Sequence, residues 1–286
     1  MTGNTPEKPA SAAAEKGGRW DSLRGVFVPS FTNLRVWLLQ FFGGILIALA
    51  VVGFLRTGET WGQLILGGLL ILVAVVGWLT LDGGTFNYYL DQQRNQASLR
   101  PAFIRALKHI LPLATLAAIF FLVHMLIDRL DDYHYSVPGY LRSELPAWLR
   151  RHVSEARVQN LYDLFVFFMR WIVLSVLLLP LASLCADRGF RGFISTRIWL
   201  RMLVNRWFWG VVIVASILGV AVPTAMLGWR LDPKTATATS EEVFLGFRLF
   251  IGYLLVLAAW LMVCFMLGRA RMKAEAPLTI KTSKKD

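Results

Sequence analysis

The sequence predicts an all-α protein, a polytopic bundle of six transmembrane helices that follow one another as three consecutive hairpins. The chain of 286 residues contains unbroken apolar runs of about 20 residues, which is the length that crosses a bilayer as a helix. Hydrophobic residues make up 56% of the chain and charged residues 17%, whereas a soluble domain carries about 25% charged residues. Transmembrane strands alternate apolar and polar residues over about 10 positions, and these runs do not alternate.

The order of polar and apolar stretches predicts three segments. Residues 1–30 are rich in Ala, Pro, Gly and Lys, which predicts a flexible cytoplasmic tail. Residues 31–268 form the six-span membrane domain, and residues 269–286 form a basic cytoplasmic tail without fixed structure. The predicted spans are 36–55, 61–81, 106–127, 161–184, 207–227 and 243–267.

Small residues mark helix contacts and helix ends in the first two spans. Gly43 and Gly44 predict a close approach of neighbouring helices, because small side chains let backbones come near one another in a membrane. Asp82, Gly83 and Gly84 predict the end of the second span, with a polar loop after them.

The loop between the third and fourth spans predicts an outer amphipathic segment over residues 143–160. Apolar residues recur there at helical spacing, and Ser143 suits an N-cap position shortly before Pro146. The segment is expected to lie along the outer membrane interface or to run into the fourth span. The alternative is an ordinary solvated stretch that leads into the fourth span.

The distribution of basic residues predicts the orientation of the chain. Twenty of the 30 lysines and arginines lie in the two termini, in the loops after the second and fourth spans, and at Lys108, where the third span enters the membrane. Because Lys and Arg collect in cytoplasmic loops, both termini are expected to be cytoplasmic in a multi-pass protein of the bacterial inner or plasma membrane. The net charge of +12 therefore needs no nucleic acid partner.

Two basic loops resemble a known group of proteins. Each has a Gly-rich helix end, a polar stretch and a basic, aromatic return to the membrane: GGTFNYYLDQQRNQASLRPAFIRALKHILPL at 83–113 and CADRGFRGFISTRIWLRMLVNRWFWGV at 185–211. In the pattern of these two loops, the chain resembles bacterial six-helix membrane proteins related to the membrane domain of glycerophosphodiester phosphodiesterases. The resemblance implies a six-helix membrane fold. It includes no catalytic motif and transfers no functional residue.

A charged cluster is predicted near the outer face. Arg170 lies in the middle of the fourth span, where an arginine is expected to face protein and find a partner. The natural pairings join Arg170 or Arg248 to Asp128 or Asp163. The predicted buried cluster comprises His124, Asp128, Asp163, Arg170 and Arg248. Structural ion pairing is one interpretation, and a cavity that binds an anionic head group or relays protons is the other.

A metal site is a further alternative at the same place. His124, Asp128, Asp131 and His134 have helical spacing that suits Zn or Mn, but no ligand signature accompanies them. We therefore predict no metal and no cofactor.

The basic, aromatic loops predict contact with lipid at the inner interface. Anionic head groups attract each basic residue near the surface by about 1 kcal/mol. Anchoring and orientation alone are the alternative interpretation. The predicted interface residues are Arg105, Lys108, Arg197, Trp199, Arg201 and Arg206.

No motif in the sequence names a reaction. It contains no GxSxG, HExxH, P-loop, CxxC or dinucleotide fingerprint, and we predict that the protein is not an enzyme. The favoured function is an accessory or lipid-interacting module whose partners are membrane lipids and either another protein or a second copy of the chain. The alternative is a transporter or channel subunit that uses the charged cluster.

Overall fold

The computed structural model describes residues 33–58, 60–229 and 238–282. Every element in these ranges is a helix, and none of these residues forms a strand. The predicted tail over residues 1–30 lies outside the described residues. The helices are α1 (Leu34–Leu55), α2 (Trp61–Gln93), α3 (Leu99–Lys108), α4 (Ile110–Asp131), α5 (Ser136–Glu144), α6 (Ala147–Arg150), α7 (Glu155–Arg188), α8 (Arg191–Ile194), α9 (Thr196–Leu203), α10 (Arg206–Gly228) and α11 (Ala238–Thr282).

Six of the described helices are long and apolar enough to cross a membrane, namely α1, α2, α4, α7, α10 and α11. The protein is thus a multi-pass membrane protein. Consecutive spans pack against each other, α1 on α2, α4 on α7 and α10 on α11. This arrangement confirms the predicted all-α bundle of three hairpins. Helix α2 also packs along α11, and these two helices supply much of the buried core.

Helix α2 does not end at Asp82, Gly83 and Gly84 as predicted, but continues to Gln93. The two glycines are sites of close packing rather than helix breakers. A Cβ at Gly83 would lie 2.7 Å from the Leu113 side chain, and one at Gly84 would lie 2.6 Å from the Phe103 ring. Because α3 and α4 press this closely on α2, the stretch predicted as a polar loop is helical and mostly buried through Asp91.

The last helix extends beyond the predicted sixth span. Helix α11 continues through residues 269–282, where a tail without fixed structure was expected. The side chain of Arg271 is only 1% exposed. Several polar groups from other helices surround it, so a basic residue that looked like part of a solvated tail belongs to the core.

The predicted amphipathic segment over residues 143–160 is not one helix. It is divided among α5, α6 and α7, with a break at Leu145 and Pro146. Ser143 lies inside α5 and donates its hydroxyl to the Tyr140 carbonyl (2.7 Å) instead of capping a helix. The cap is Ser154, whose side chain accepts the Arg157 backbone N–H at the start of α7.

Candidate functional site

A central cavity of about 520 Å³ lies between the spans. Each of the six spans contributes to its wall, which is mostly apolar. The volume falls in the range of about 300 to 1,000 Å³ that is typical of small-molecule sites. Six aromatic side chains line it: Trp78, Phe86, Phe120, Trp171, Tyr253 and Trp260.

The cavity is elongated along the bundle. On α11 its wall extends from Tyr253 to Val263, ten residues apart, which corresponds to about 15 Å along a helix. At one end the wall includes Leu113, which lies in the first turn of α4. Asp82 lies at this end, because the next residue, Gly83, packs against the Leu113 side chain.

Asp82 is the one carboxylate in the wall, and the described wall residues include no Lys, Arg or His. The side chains of Gln40, Trp78 and Trp260 lie near the Asp82 carboxylate, with N–H groups that can stabilise its negative charge. The Trp260 Nε1–H is buried, but its geometry falls short of a hydrogen bond to any described residue. Within the described chain, Asp82 forms no ion pair.

Polar contacts hold the α1 side of the cavity in place. Gln40 Nε2 donates to Thr85 Oγ1 on α2 at 2.6 Å. The Tyr253 hydroxyl donates to the Phe41 carbonyl at 2.7 Å. This contact brings the Tyr253 oxygen into the space that a Cβ at Gly44 would occupy. The predicted close approach at Gly44 is confirmed, and it joins α1 to α11.

The predicted charged cluster forms in part, at the other end of the bundle. Arg170 Nη2 lies 2.6 Å from Asp128 Oδ1 and 2.6 Å from Asp131 Oδ2. The predicted pairing of Arg170 with Asp128 is thereby confirmed, and His124 Nε2 lies 4.0 Å from the same Asp128 oxygen. We refer to His124, Asp128, Asp131 and Arg170 as the Arg170 cluster. Arg170 itself lies in a π-helical turn of α7, Phe168–Val173.

The other two members of the predicted cluster lie elsewhere. Asp163 faces His134, with 3.5 Å between Oδ1 and Nδ1. Arg248 was expected to pair with an aspartate, but it donates to backbone carbonyls at the end of α10 and lies over the Phe244 ring, 4.7 Å from its centroid. The last carbonyls of a helix have no partner within the helix, so they compete well for a guanidinium.

The Arg170 cluster is also less buried than predicted. The Asp128 side chain is 50% exposed, while that of Arg170 is 18% exposed. The carboxylates lie in the last turn of α4, at the rim of the bundle, because the helix ends at Asp131. None of the five predicted residues belongs to the cavity wall. Among the residues that the structure describes, no group of three His, Cys, Asp or Glu side chains is arranged to hold a metal.

A second ionic cluster, not predicted from the sequence, lies at the end of the bundle where α4 begins. Arg105 on α3 bridges two carboxylates, with 2.6 Å from Nη2 to Asp91 Oδ2 and 2.8 Å from Nη1 to Asp187 Oδ1. Partial burial disfavours the charged guanidinium, but the two carboxylates outweigh it and raise the pKa of Arg105 above its ordinary value. The Arg105 side chain therefore keeps its positive charge.

The same cluster continues on α11. Arg271 pairs with Asp187 on α7 and with Glu275 Oε1 at 2.9 Å, and it donates to the Ser183 carbonyl at 2.9 Å. Glu275 also accepts from Arg94 at 2.9 Å and from Arg188 at 2.8 Å. We call these seven charged residues the Asp187 cluster: Asp91, Arg94, Arg105, Asp187, Arg188, Arg271 and Glu275. The cluster joins α2, α3, α7 and α11.

The predicted lipid-interface residues fall into two groups. Arg105 belongs to the Asp187 cluster, Arg201 donates to a backbone carbonyl of α11 (3.0 Å), and the Trp199 indole donates to one of α7 (2.8 Å). These three side chains therefore bind protein groups. The other three are exposed, as lipid contact requires: Lys108, Arg197 and Arg206.

Two sequence signals pointed to the residues that the prediction missed. Asp82 follows the predicted second span, 61–81, which contains no charged residue, and no basic residue comes after it until Arg94, so its charge has no local partner. Arg271 and Glu275 are spaced i and i+4, directly after an apolar run, and this spacing places them on one face if the helix continues.

Comparison of the chain with protein-family models, with curated proteins and with solved structures finds no match. The cavity and the two clusters are therefore interpreted from their own chemistry.

Proposed function

We propose that the protein is a non-enzymatic, lipid-interacting module of the membrane whose central cavity takes up the apolar chain of an amphiphile. One observation supports this proposal above the others, namely an apolar cavity of about 520 Å³ to which all six spans contribute. An elongated cavity of about 15 Å suits a single chain better than a compact solute. Another protein or a second copy of the chain remains in the proposal as a partner that receives or delivers the amphiphile.

The proposed orientation places the Asp187 cluster at the cytoplasmic face of a bacterial inner or plasma membrane. The support is the sequence bias, since 20 of the 30 lysines and arginines lie in segments on that side. The exposed Lys108, Arg197 and Arg206 then lie at the level of the inner head groups. We also propose that the chain is related to the six-helix proteins that resemble the phosphodiesterase membrane domain. The support is the shared pattern of residues 83–113 and 185–211, a Gly-rich helix end, a polar stretch and a basic, aromatic return to the membrane.

A transporter or channel subunit that uses the charged cluster is the less favoured proposal. Its residues would have to line a route through the bundle. The predicted members of the cluster, Arg170 and Asp128 among them, lie outside the cavity wall. A carrier of the amphiphile itself remains compatible with the cavity.

Photolabelling tests the cavity. The purified full chain is placed in nanodiscs and exposed to a monoacylglycerol that carries a diazirine in its acyl chain. Labelling is expected to be saturable and to fall on peptides of the wall. Ala117 lines the cavity, whereas its neighbour Ala118 is exposed on the outer surface of α4. Ala117→Phe places a ring inside the cavity, where it obstructs an acyl chain, and is expected to lower wall labelling about tenfold, an effect of roughly 1.4 kcal/mol.

The matched control is Ala118→Phe, which adds the same ring to the outside of the same helix. It is expected to leave wall labelling unchanged. Equal labelling of the two variants and the parent, or labelling confined to the outer surface, would overturn the proposed function.

A further inference from the structure

We infer that the ligand of the central cavity carries a single positive charge of the ammonium type, which lies against Asp82 while its apolar part fills the cavity. The inference rests on the proposed function, because it names the chemical class of the amphiphile that the same cavity takes up. Three observations support it: the net charge of the cavity wall, the aromatic side chains that line the cavity, and the position of Asp82.

The charge of the wall selects the sign and the valence of the ligand. Asp82 is the single carboxylate of the wall, and no Lys, Arg or His side chain among the described wall residues is available to hold an anion. A divalent metal ion needs several oxygen or nitrogen ligands, and the described residues supply no group of three His, Cys, Asp or Glu side chains. One carboxylate in an apolar wall therefore suits one organic cation.

The aromatic lining favours the same class. Trp78 and Trp260 both lie within reach of the Asp82 carboxylate and line the cavity, and Trp260 packs on Phe86 with 5.4 Å between ring centroids. The faces of indole rings attract quaternary and primary ammonium groups by cation–π interaction, most strongly where water is excluded. A carboxylate next to two indoles gives such a group both a counter-charge and a face to lie on.

The position of Asp82 explains why a cation should be bound there. A charged aspartate in an apolar wall within a membrane bundle is costly, and such residues normally find a partner. Among the described residues Asp82 has no cationic partner and only the N–H groups of Gln40, Trp78 and Trp260 lie near it, in contrast to the carboxylates of the Asp187 cluster. It lies at the end of the cavity near the start of α4. An amphiphile can therefore keep its head group at this end with its chain along the remaining length.

The test uses competition against the diazirine monoacylglycerol in nanodiscs. Two competitors share a dodecyl chain: dodecyltrimethylammonium, which is cationic, and dodecyldimethylamine oxide, which has no net charge at neutral pH. The parent protein is expected to require about tenfold less of the cation than of the amine oxide for half displacement. In Asp82→Asn the two competitors are expected to be equally effective, while labelling by the neutral probe persists.

Two further variants serve as controls. Asp82→Glu retains the carboxylate and is expected to retain a preference for the cation, so a loss of preference in Asp82→Asn can be assigned to the charge. Asp163→Asn removes a carboxylate that lies outside the cavity wall and is expected to keep the full preference. Monodisperse elution and labelling by the neutral probe show that each variant is folded.

The outcomes separate the two proposals. If both competitors displace the probe equally from the parent, the cation inference is wrong while the apolar cavity stands. The same holds if the preference survives in Asp82→Asn, since the cation then binds elsewhere. If neither competitor displaces the probe, and Ala117→Phe labels like the parent, the inference and the proposed function both fail.

Discussion

The two ionic clusters lie at opposite ends of one bundle and use the same side-chain chemistry, yet they differ in burial. Arg271, in the Asp187 cluster, is 1% exposed, and its partner Asp187 is 12% exposed. Arg170 is 18% exposed, and its partner Asp128 is 50% exposed. The Asp187 cluster joins four helices, while the Arg170 cluster joins only α4 and α7. An arginine in a basic terminal stretch is thus more buried, and bound to more helices, than one in the middle of a span.

The largest expected effect of a single change in either cluster is that of Arg271→Ala. Removing this guanidinium leaves Asp187 and Glu275 with fewer cations in a buried site and leaves the Ser183 carbonyl without its donor. Breaking a buried pair costs about 3 to 5 kcal/mol, and we expect the lower end of this range because Asp187 keeps Arg105 and Glu275 keeps Arg94 and Arg188. The measurement is the free energy of unfolding of the purified protein in mixed micelles with increasing SDS.

Lys273→Ala is the matched control, because Lys273 lies on the same helix and is exposed. It is expected to change the free energy of unfolding by less than about 0.5 kcal/mol. A similar small change in Arg271→Ala would mean that the end of α11 is not part of the core.

A smaller effect is expected for Arg105→Gln. Arg105 is 28% exposed, and its loss leaves Asp91, 9% exposed, without an ion-pair partner. Asp187 still has Arg271. An unsatisfied buried charge of this kind costs about 2 kcal/mol.

The neighbouring Lys108→Gln provides the control and tests the alternative of lipid contact. Lys108 is exposed. Its substitution is expected to leave stability unchanged while lowering the thermal stabilisation that added anionic lipid gives. If Arg105→Gln behaves in the same way, with lost lipid stabilisation and unchanged unfolding in neutral micelles, its assignment to the Asp187 cluster is wrong.

The spans were predictable because hydropathy is local, whereas the clusters depend on which helices meet. A run of apolar residues identifies a membrane helix from its own composition. Asp82 with Gly83 and Gly84 looked like a helix end, since glycine disfavours helices in isolation. Only the approach of Phe103 and Leu113 explains why small residues are needed there and why the helix continues.

The candidate site was harder to predict than the fold for the same reason. The pairing of Arg170 with Asp128 follows from the need to neutralise a charge in the membrane, and it was predictable. That Arg248 takes carbonyls instead of a carboxylate depends on where α10 ends, which no pattern in α11 records. The significance of Asp82 likewise appears only once six spans come together to line a cavity beside it.

The smallest expected effect on stability is that of Arg170→Ala, which measures directly how much the exposed cluster contributes. Partly exposed pairs contribute about 1 kcal/mol or less, so this variant is expected to lose several-fold less stability than Arg271→Ala. Asp128→Asn should recover part of the loss, because it removes one of two carboxylates, Asp128 and Asp131, that would otherwise repel each other. A double-mutant cycle in the same SDS titration should give a coupling of at least about 0.5 kcal/mol.

Combining Arg170→Ala with Asp163→Asn is the control cycle, because Asp163 faces His134 rather than Arg170. These two changes should be additive. If Arg170→Ala costs as much as Arg271→Ala, exposure at the rim does not weaken the cluster, and the bilayer around α4 and α7 must exclude water from it as fully as the core does. If Arg170→Ala costs nothing, Asp128 and Asp131 need no arginine at the exposed rim, and of the two clusters only the Asp187 cluster stabilises the fold.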